Sequence, residues 1–309
     1  MTHRQADISA LGTAATFLIG LGAQKAGTTW LYAYLRDHPD AHVPACKEMN
    51  YFDVLYRPKH NMTLGRRERE LARQERSPRH RITTWINTKR TLFVPNAVPP
   101  VDLRSLRELV EMNTTADPTH SRYRTALLRG YRGQRCVADI SPDYSWLKAP
   151  DFRKIAADFP NAKFLYLLRD PVRRSWSDLC MYYQVHGRSS GLEFGDLLDI
   201  FVGGEKKHVI RRSRYDQVLA EIEAAVPEDR RLFVFYEDLF ADAAVKKICD
   251  FAGIAFRSGQ YERKVNQSAL GSPIRRDVEQ MLITQLEPVY TDMVARFGDA
   301  LPTEWQKVH

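Results

Sequence analysis

The segment best equipped for chemistry is Phe17-Leu-Ile-Gly-Leu-Gly-Ala-Gln-Lys-Ala-Gly-Thr-Thr-Trp30, a lysine set among glycines and hydroxyls. Glycines let backbone N–H groups converge on an anion, and a helix start adds the positive end of its dipole. Gly22 and Gly27 have the spacing of a nucleotide-binding phosphate loop, but Thr28 stands where a nucleotidase carries its lysine. The lysine sits earlier, at Lys25. That position suits a donor with one 5′-phosphate and an attached leaving group.

Two further groups belong with this cradle. Arg169 closes the apolar run Phe164–Leu168, and ligands of open α/β sheets bind outside the carboxyl ends of strands. A guanidinium there can grip a phosphate through two parallel hydrogen bonds, and Ser177 can return from the following helix to share it. Arg173 and Arg174 read as structural or solvated. The segment Lys47-Glu-Met-Asn-Tyr-Phe-Asp53 supplies carboxylates, of which Glu48 is the candidate base and Asp53 a candidate for orienting the site or the acceptor. His38 and His42 are weaker candidates for a base, since His38-Pro39 reads as a turn.

The elements that must position these groups alternate between short apolar runs and helical patterns, which predicts an α/β fold with a central parallel sheet flanked by helices. Strands are expected at Phe17–Leu21, Cys136–Ile140, Lys163–Leu168 and Arg231–Phe235. Helices are expected at Thr28–Arg36, Pro150–Asp158, Val172–His186, Tyr215–Ala225 and Leu239–Ala252, with Pro171 suited to a first helical turn. Residues 57–90 break the pattern, with eleven arginines and lysines against three glutamates. They read as a helix with a basic face inside a basic insertion at about 55–130, within one domain covering 1–309.

The chain has 309 residues, 44% of them hydrophobic, and carries a net charge of +8 with a pI near 9.3. It is long enough for one large domain, and its charge calls for an anionic partner. Cys46, Cys136, Cys180 and Cys249 stand apart without metal-ligand or disulfide spacing, which suits reduced thiols in a cytoplasm. No apolar stretch reaches the roughly 18 residues of a membrane span. The small apolar residues at 8–23 lead straight into the glycine loop and do not read as a cleaved signal.

Gln24-Lys-Ala-Gly-Thr-Thr-Trp30 resembles the 5′-phosphosulfate loop of the sulfotransferases that use 3′-phosphoadenosine-5′-phosphosulfate (PAPS), in which Lys-Ser/Thr-Gly-Thr-Ser/Thr-Trp follows a proline. Arg169-Asp-Pro-Val-Arg-Arg-Ser-Trp-Ser177 is similar to the 3′-phosphate motif of the same family in every defining position. The resemblance implies a P-loop-like sulfotransferase fold, PAPS as donor and adenosine 3′,5′-bisphosphate as product. It implies that Lys25 meets the 5′-phosphate and bridging oxygen, and that Ala26, Gly27, Thr28 and Thr29 complete the cradle. Trp30 would stack on adenine, and Arg169 and Ser177 would bind the 3′-phosphate. Tyr215, in a segment similar to the family's Gly-x-Tyr-x-x-x-Leu, and Lys264, in a basic loop that closes over the cofactor, are further implied cofactor-binding residues.

Lys47-Glu48 resembles a segment of carbohydrate sulfotransferases, including the heparan sulfate enzymes, whose glutamate is the base; a sugar hydroxyl is the implied acceptor, then a lipid or small natural product. Departures from the family include Gln24 and Ile140. Gln24 replaces a proline or arginine and is expected not to matter. Ile140, in Ala138-Asp-Ile-Ser-Pro-Asp-Tyr144, replaces a lysine of the heparan-sulfate type, which leaves Asp139 and Tyr144 as acceptor-side candidates. No metal is implied.

Two rival readings have their own signatures. A nucleotide kinase or NTPase needs lysine after Gly27 and a strand-end aspartate for magnesium, whereas the candidate strand ends in Arg169 before Asp170. A nucleic-acid-binding protein would use residues 57–90, but only Trp85 offers an aromatic there and no binding motif is present, so no nucleic-acid partner is expected. A charge run of this kind reads first as a solvated face.

Overall fold

The computed structural model of the chain describes residues 15–58, 63–83, 101–187, 191–204, 207–262 and 273–306. At its centre is β1 (Thr16–Gly22), buried at every position after Thr16. β1 pairs with β3 (Cys136–Ile140) on one edge and β4 (Ala162–Leu168) on the other. β2 (Ala41–His42) and β5 (Arg231–Phe235) complete a five-stranded sheet of order β2-β3-β1-β4-β5, parallel throughout. Such a sheet is covered on both faces, which explains the apolar runs Phe17–Leu21 of β1 and Phe164–Leu168 of β4. Parallel strands also bring the carboxyl ends of β1, β3, β4 and β5 to a single edge.

Helices follow from that edge. α1 (Thr28–Arg36) leaves the glycine loop after β1. Between β2 and β3 lie α2 (Tyr51–Tyr56), α3 (Thr63–Arg76), α4 (Leu103–Thr114) and α5 (Ser121–Leu127), with α3 packed on α4. Then come α6 (Ala149–Asp158), α7 (Pro171–Tyr182), α8 (Phe194–Val202), α9 (Lys207–Arg211), α10 (Tyr215–Glu223), α11 (Asp242–Ala252) and α12 (Arg276–Phe297). The expected strands are all present. The helix expected over Val172–His186 is α-helical only to Tyr182 and continues as a π turn through Gly187. The helix expected from Leu239 begins at Asp242, after a turn.

The turn from β4 into α7 is built by two local devices and held by distant contacts. Asp170 caps the helix, its carboxylate accepting from the Arg173 N–H at 2.7 Å, and Pro171 occupies the first turn. The Tyr290 hydroxyl of α12 donates to the other Asp170 oxygen at 2.7 Å. Trp305, fully buried against Tyr215, Phe235 and Tyr290, seals the same region from below.

Candidate active site

The loop after β1 has the backbone of an anion cradle. Lys25 (φ 71°) and Gly27 (φ 90°) both adopt left-handed conformations, with Ala26 between them. Alternation of this kind turns successive N–H groups to one concave side. Gly27 is also the cap residue of α1 and offers no side-chain cap. A Cβ there would stand 2.6 Å from Leu239, so glycine is required by space as well as by φ. Among the described residues, the N–H groups of Thr28, Thr29 and Trp30 find no backbone acceptor, and the two threonine hydroxyls make no hydrogen bond. These are the orphan donors of a helix start, aimed where an anion binds.

Lys25 is half-buried, and its ammonium makes no ion pair among the described residues. Burial pulls its pKa below the ordinary lysine value; Asp178 opposes this, and Arg169 and Arg174 add to it. A buried ammonium without a partner is a site waiting for negative charge.

Arg169 joins this cradle directly. Its Nη1 donates to the Lys25 carbonyl at 2.9 Å, and the guanidinium lies 4.5 Å above the Tyr236 ring. Tyr215 is fully buried and donates its hydroxyl to the Arg169 carbonyl at 2.9 Å, so it holds the backbone at the strand end. Ser177 is half-buried on α7 and makes no side-chain hydrogen bond among the described residues. Arg173 is exposed. Arg174 is fully buried and structural, donating to Ser213 at 2.5 Å, to Asp178 at 3.2 Å and to the Val209 carbonyl. Trp30, 3% exposed, is packed between Tyr34, Phe240 and Tyr261, with ring centroids 5.5, 5.5 and 6.1 Å away. Lys264 lies outside the described residues.

Glu48 stands in a second loop, leading into α2. It and Asn50 have left-handed backbones, φ 63° and 50°, a conformation that strains a side-chain-bearing residue by roughly 1–2 kcal/mol. The Glu48 carboxylate is 42% exposed and accepts from Lys47, whose side chain is 8% exposed. The acid group is thus the reachable member of the pair. Beside this loop, Asp53 is buried, and burial followed by the nearby Asp143 pushes its pKa up to about 7. Asp139, at the end of β3, is fully buried and accepts from Tyr144 at 2.6 Å, Ser141 at 2.7 Å and Tyr123 at 2.8 Å. Its carboxylate is committed to three interior hydroxyls. His38 and His42 are buried and bonded to the carbonyls of Ala255 and Leu127.

Two routes tie the loops together. Gly22 packs so closely on Pro142 that a Cβ would meet its carbonyl at 3.0 Å. From there, Ser141 Oγ accepts from the Asn50 N–H and the Tyr144 hydroxyl from the Tyr51 N–H, both at 3.1 Å. The second route runs through Arg212, which donates to the Gln24 side-chain oxygen and lies 3.1 Å from the Asp143 carboxylate. Asn50 Nδ2 also donates to Asp143, at 3.4 Å. Gln24 was expected not to matter, yet its amide oxygen is a fixed contact between the lysine loop and Arg212. Arg212 itself carries no local sequence signal, because its partners lie far away in the chain. The four cysteines are all buried thiols, and among the described residues no cluster of three or more metal-ligating side chains occurs.

Comparison with known proteins bears on the family and the fold. The family model described as "Sulfotransferase family" matches residues 18–258. The solved structure of a sulfotransferase from Alicyclobacillus acidocaldarius is similar at 20% identity and a TM-score of 0.58, covering 94% of this chain and 98% of that one. The sulfotransferase domain of the Synechococcus PCC 7002 olefin synthase aligns at 20% identity and a TM-score of 0.43, over 92% and 98% of the two chains. No curated protein sequence matches the chain.

Proposed function

The chain belongs to the sulfotransferase family, with its α/β fold and PAPS-dependent type of transfer, and on that premise we propose how its own residues divide the work. PAPS supplies an activated sulfonate. Lys25 balances the charge left on the 5′-phosphate as the sulfur–oxygen bond to that phosphate breaks, and the amides and hydroxyls from Ala26 to Thr29 hold the phosphate oxygens. Arg169 and Ser177 take the 3′-phosphate, Trp30 lines the adenine side, Tyr215 steadies Arg169 from beneath, and Lys264 closes the site. Glu48 accepts the proton of an acceptor hydroxyl as its oxygen attacks sulfur in line. The acceptor is a sugar hydroxyl, or failing that a lipid or small natural product, met in the cytoplasm. The product nucleotide is adenosine 3′,5′-bisphosphate, and neither a metal nor a nucleic acid takes part. One domain spans 1–309, with the basic insertion at about 55–130 elaborating it.

The hydrogen bond from Arg169 to the Lys25 carbonyl carries this reading, because it brings the two phosphate anchors of one nucleotide onto a common support. No helix among the described residues is long and apolar enough to cross a membrane. The test is calorimetric titration of adenosine 3′,5′-bisphosphate into wild type and Arg169→Ala, with AMP as control. Binding that needs the 3′-phosphate and collapses in the variant is expected. Equal binding of AMP would return the protein to the NTPase reading. Glu48→Gln should bind the bisphosphate normally and lose turnover.

A further inference from the structure

The arginine-rich helix α3 has two faces of different character. Arg66, Arg69, Arg73 and Arg76 are exposed, at the three-and-four spacing of one stripe. Leu64, Arg67, Leu71 and Gln74 repeat at the same spacing and turn inward, Gln74 being buried with its amide donating to the Val101 carbonyl at 3.3 Å. Most of a charge run reads as a solvated face, but Arg67 does not belong to it.

The Arg67 guanidinium donates through Nη1 to the Met49 carbonyl at 2.8 Å and through Nη2 to the Glu48 carbonyl. Among the described residues it has no carboxylate within ion-pair distance, unlike Arg73 with Glu70 or Arg107 with Glu75. The next two residues of the loop are held from the other side, where Ser141 and Tyr144 accept from the N–H groups of Asn50 and Tyr51. Both of those hydroxyls are anchored on Asp139. Four consecutive residues, two of them in left-handed conformations, thus have a backbone group fixed by a side chain. A planar fork is the donor that can span two adjacent carbonyls; an ammonium is not.

We propose that Arg67 is the positioning residue of the Glu48 loop, making α3 a working part of the active site. The proposal deepens the reading of Glu48 as base and rests on it. Release of the two carbonyls lets Glu48 leave its left-handed conformation, carrying the carboxylate away from the acceptor oxygen. Misplacement of a reacting group by about 1 Å reduces turnover by about 100-fold.

The experiment compares wild type, Arg67→Ala, Glu48→Gln and the double variant. Bisphosphate affinity is measured by calorimetry, hydrogen exchange over residues 46–54 by mass spectrometry, and turnover as bisphosphate released from PAPS with water and with monosaccharides as acceptors. Arg67→Ala should keep its bisphosphate affinity, exchange faster at the loop amides and lose about 100-fold in turnover. Added guanidinium ion should restore part of that loss, and the double variant should be no slower than Glu48→Gln. Wild-type turnover and exchange in Arg67→Ala would overturn the proposal. So would a joint loss of bisphosphate affinity, thermal stability and turnover that guanidinium does not relieve. Full turnover in Glu48→Gln would remove the base instead, and the exchange measurement, which needs no turnover, would still decide whether Arg67 holds the loop.

Discussion

The Arg169 guanidinium donates to the backbone carbonyl of Lys25, so the strand-end cation holds the loop that carries the other cation. A lysine in place of Arg169 keeps the charge but cannot serve a carbonyl and a phosphate in two directions. Arg169→Lys should therefore weaken adenosine 3′,5′-bisphosphate by at least about tenfold, about 1.4 kcal/mol. The comparison that identifies the cause is AMP. A 3′-phosphate role leaves AMP affinity nearly unchanged, whereas equal weakening of both nucleotides would mean that Arg169 acts only by shaping the loop.

Burial lowers the Lys25 pKa below its unfolded value of 10.5. Between the lowered value and 10.5 the unfolded chain carries more protons on this group, so the associated penalty is complete at neutral pH and fades as pH rises through that window. Lys25→Met should be more stable than wild type at pH 7, with the difference shrinking towards pH 10, measured by urea unfolding. The same variant should fail to bind the bisphosphate. A Lys25→Met protein less stable than wild type at pH 7 would contradict the assignment of burial as the dominant influence.

Asp53 shows the opposite sign. Its pKa is about 7 in the folded protein against 3.8 ordinarily, so the folded state holds the extra proton between these values and stability falls as pH rises from about 4 to 7. Asp53→Asn should match wild type near pH 4 and exceed it at pH 8, by at most about 4 kcal/mol. Chemical denaturation of both proteins across this range is the check, and parallel stability curves would refute it.

Arg174 is fully buried with Asp178 and Ser213 as partners. Arg174→Leu leaves the Asp178 carboxylate in the interior without its cation, which should destabilise the fold by about 3–5 kcal/mol. The double variant Arg174→Leu/Asp178→Leu should recover much of that loss in a urea titration. If the single variant melts like wild type, the pair has no structural weight.

The sheet and the placing of Lys25 and Arg169 at its carboxyl edge were legible because their physics is local. Leu18–Leu21 and Phe164–Leu168 are continuous apolar runs since their strands are covered on both faces, and each leads into a loop that carries a cation, Lys25 or Arg169. β2 was not legible, having only Ala41 and His42 in the sheet. α12 was missed because it carries Pro288 and several charges in a weakly amphipathic sequence, and its apolar positions declare themselves only in the folded protein, against α7, α8 and α10. Arg67 was hidden among ten other cations in 57–90, although the inward spacing of Leu64, Arg67, Leu71 and Gln74 distinguishes it from the exposed stripe. Arg212 was beyond reach, since nothing near it in the chain names Gln24 or Asp143 as its partners.

The central place of β1 has a consequence for how the protein comes into being. Thr16 pairs with Cys136, and Phe17 with Ala162, so β1 leaves the ribosome well before either of its neighbours. Until those later segments emerge, Thr16–Gly22 is an apolar ribbon with two open edges, the kind of segment that seeks other chains. Synthesis slowed before residue 168 should therefore favour aggregation over yield. The same seven residues that build the catalytic floor make the nascent chain a client for chaperones.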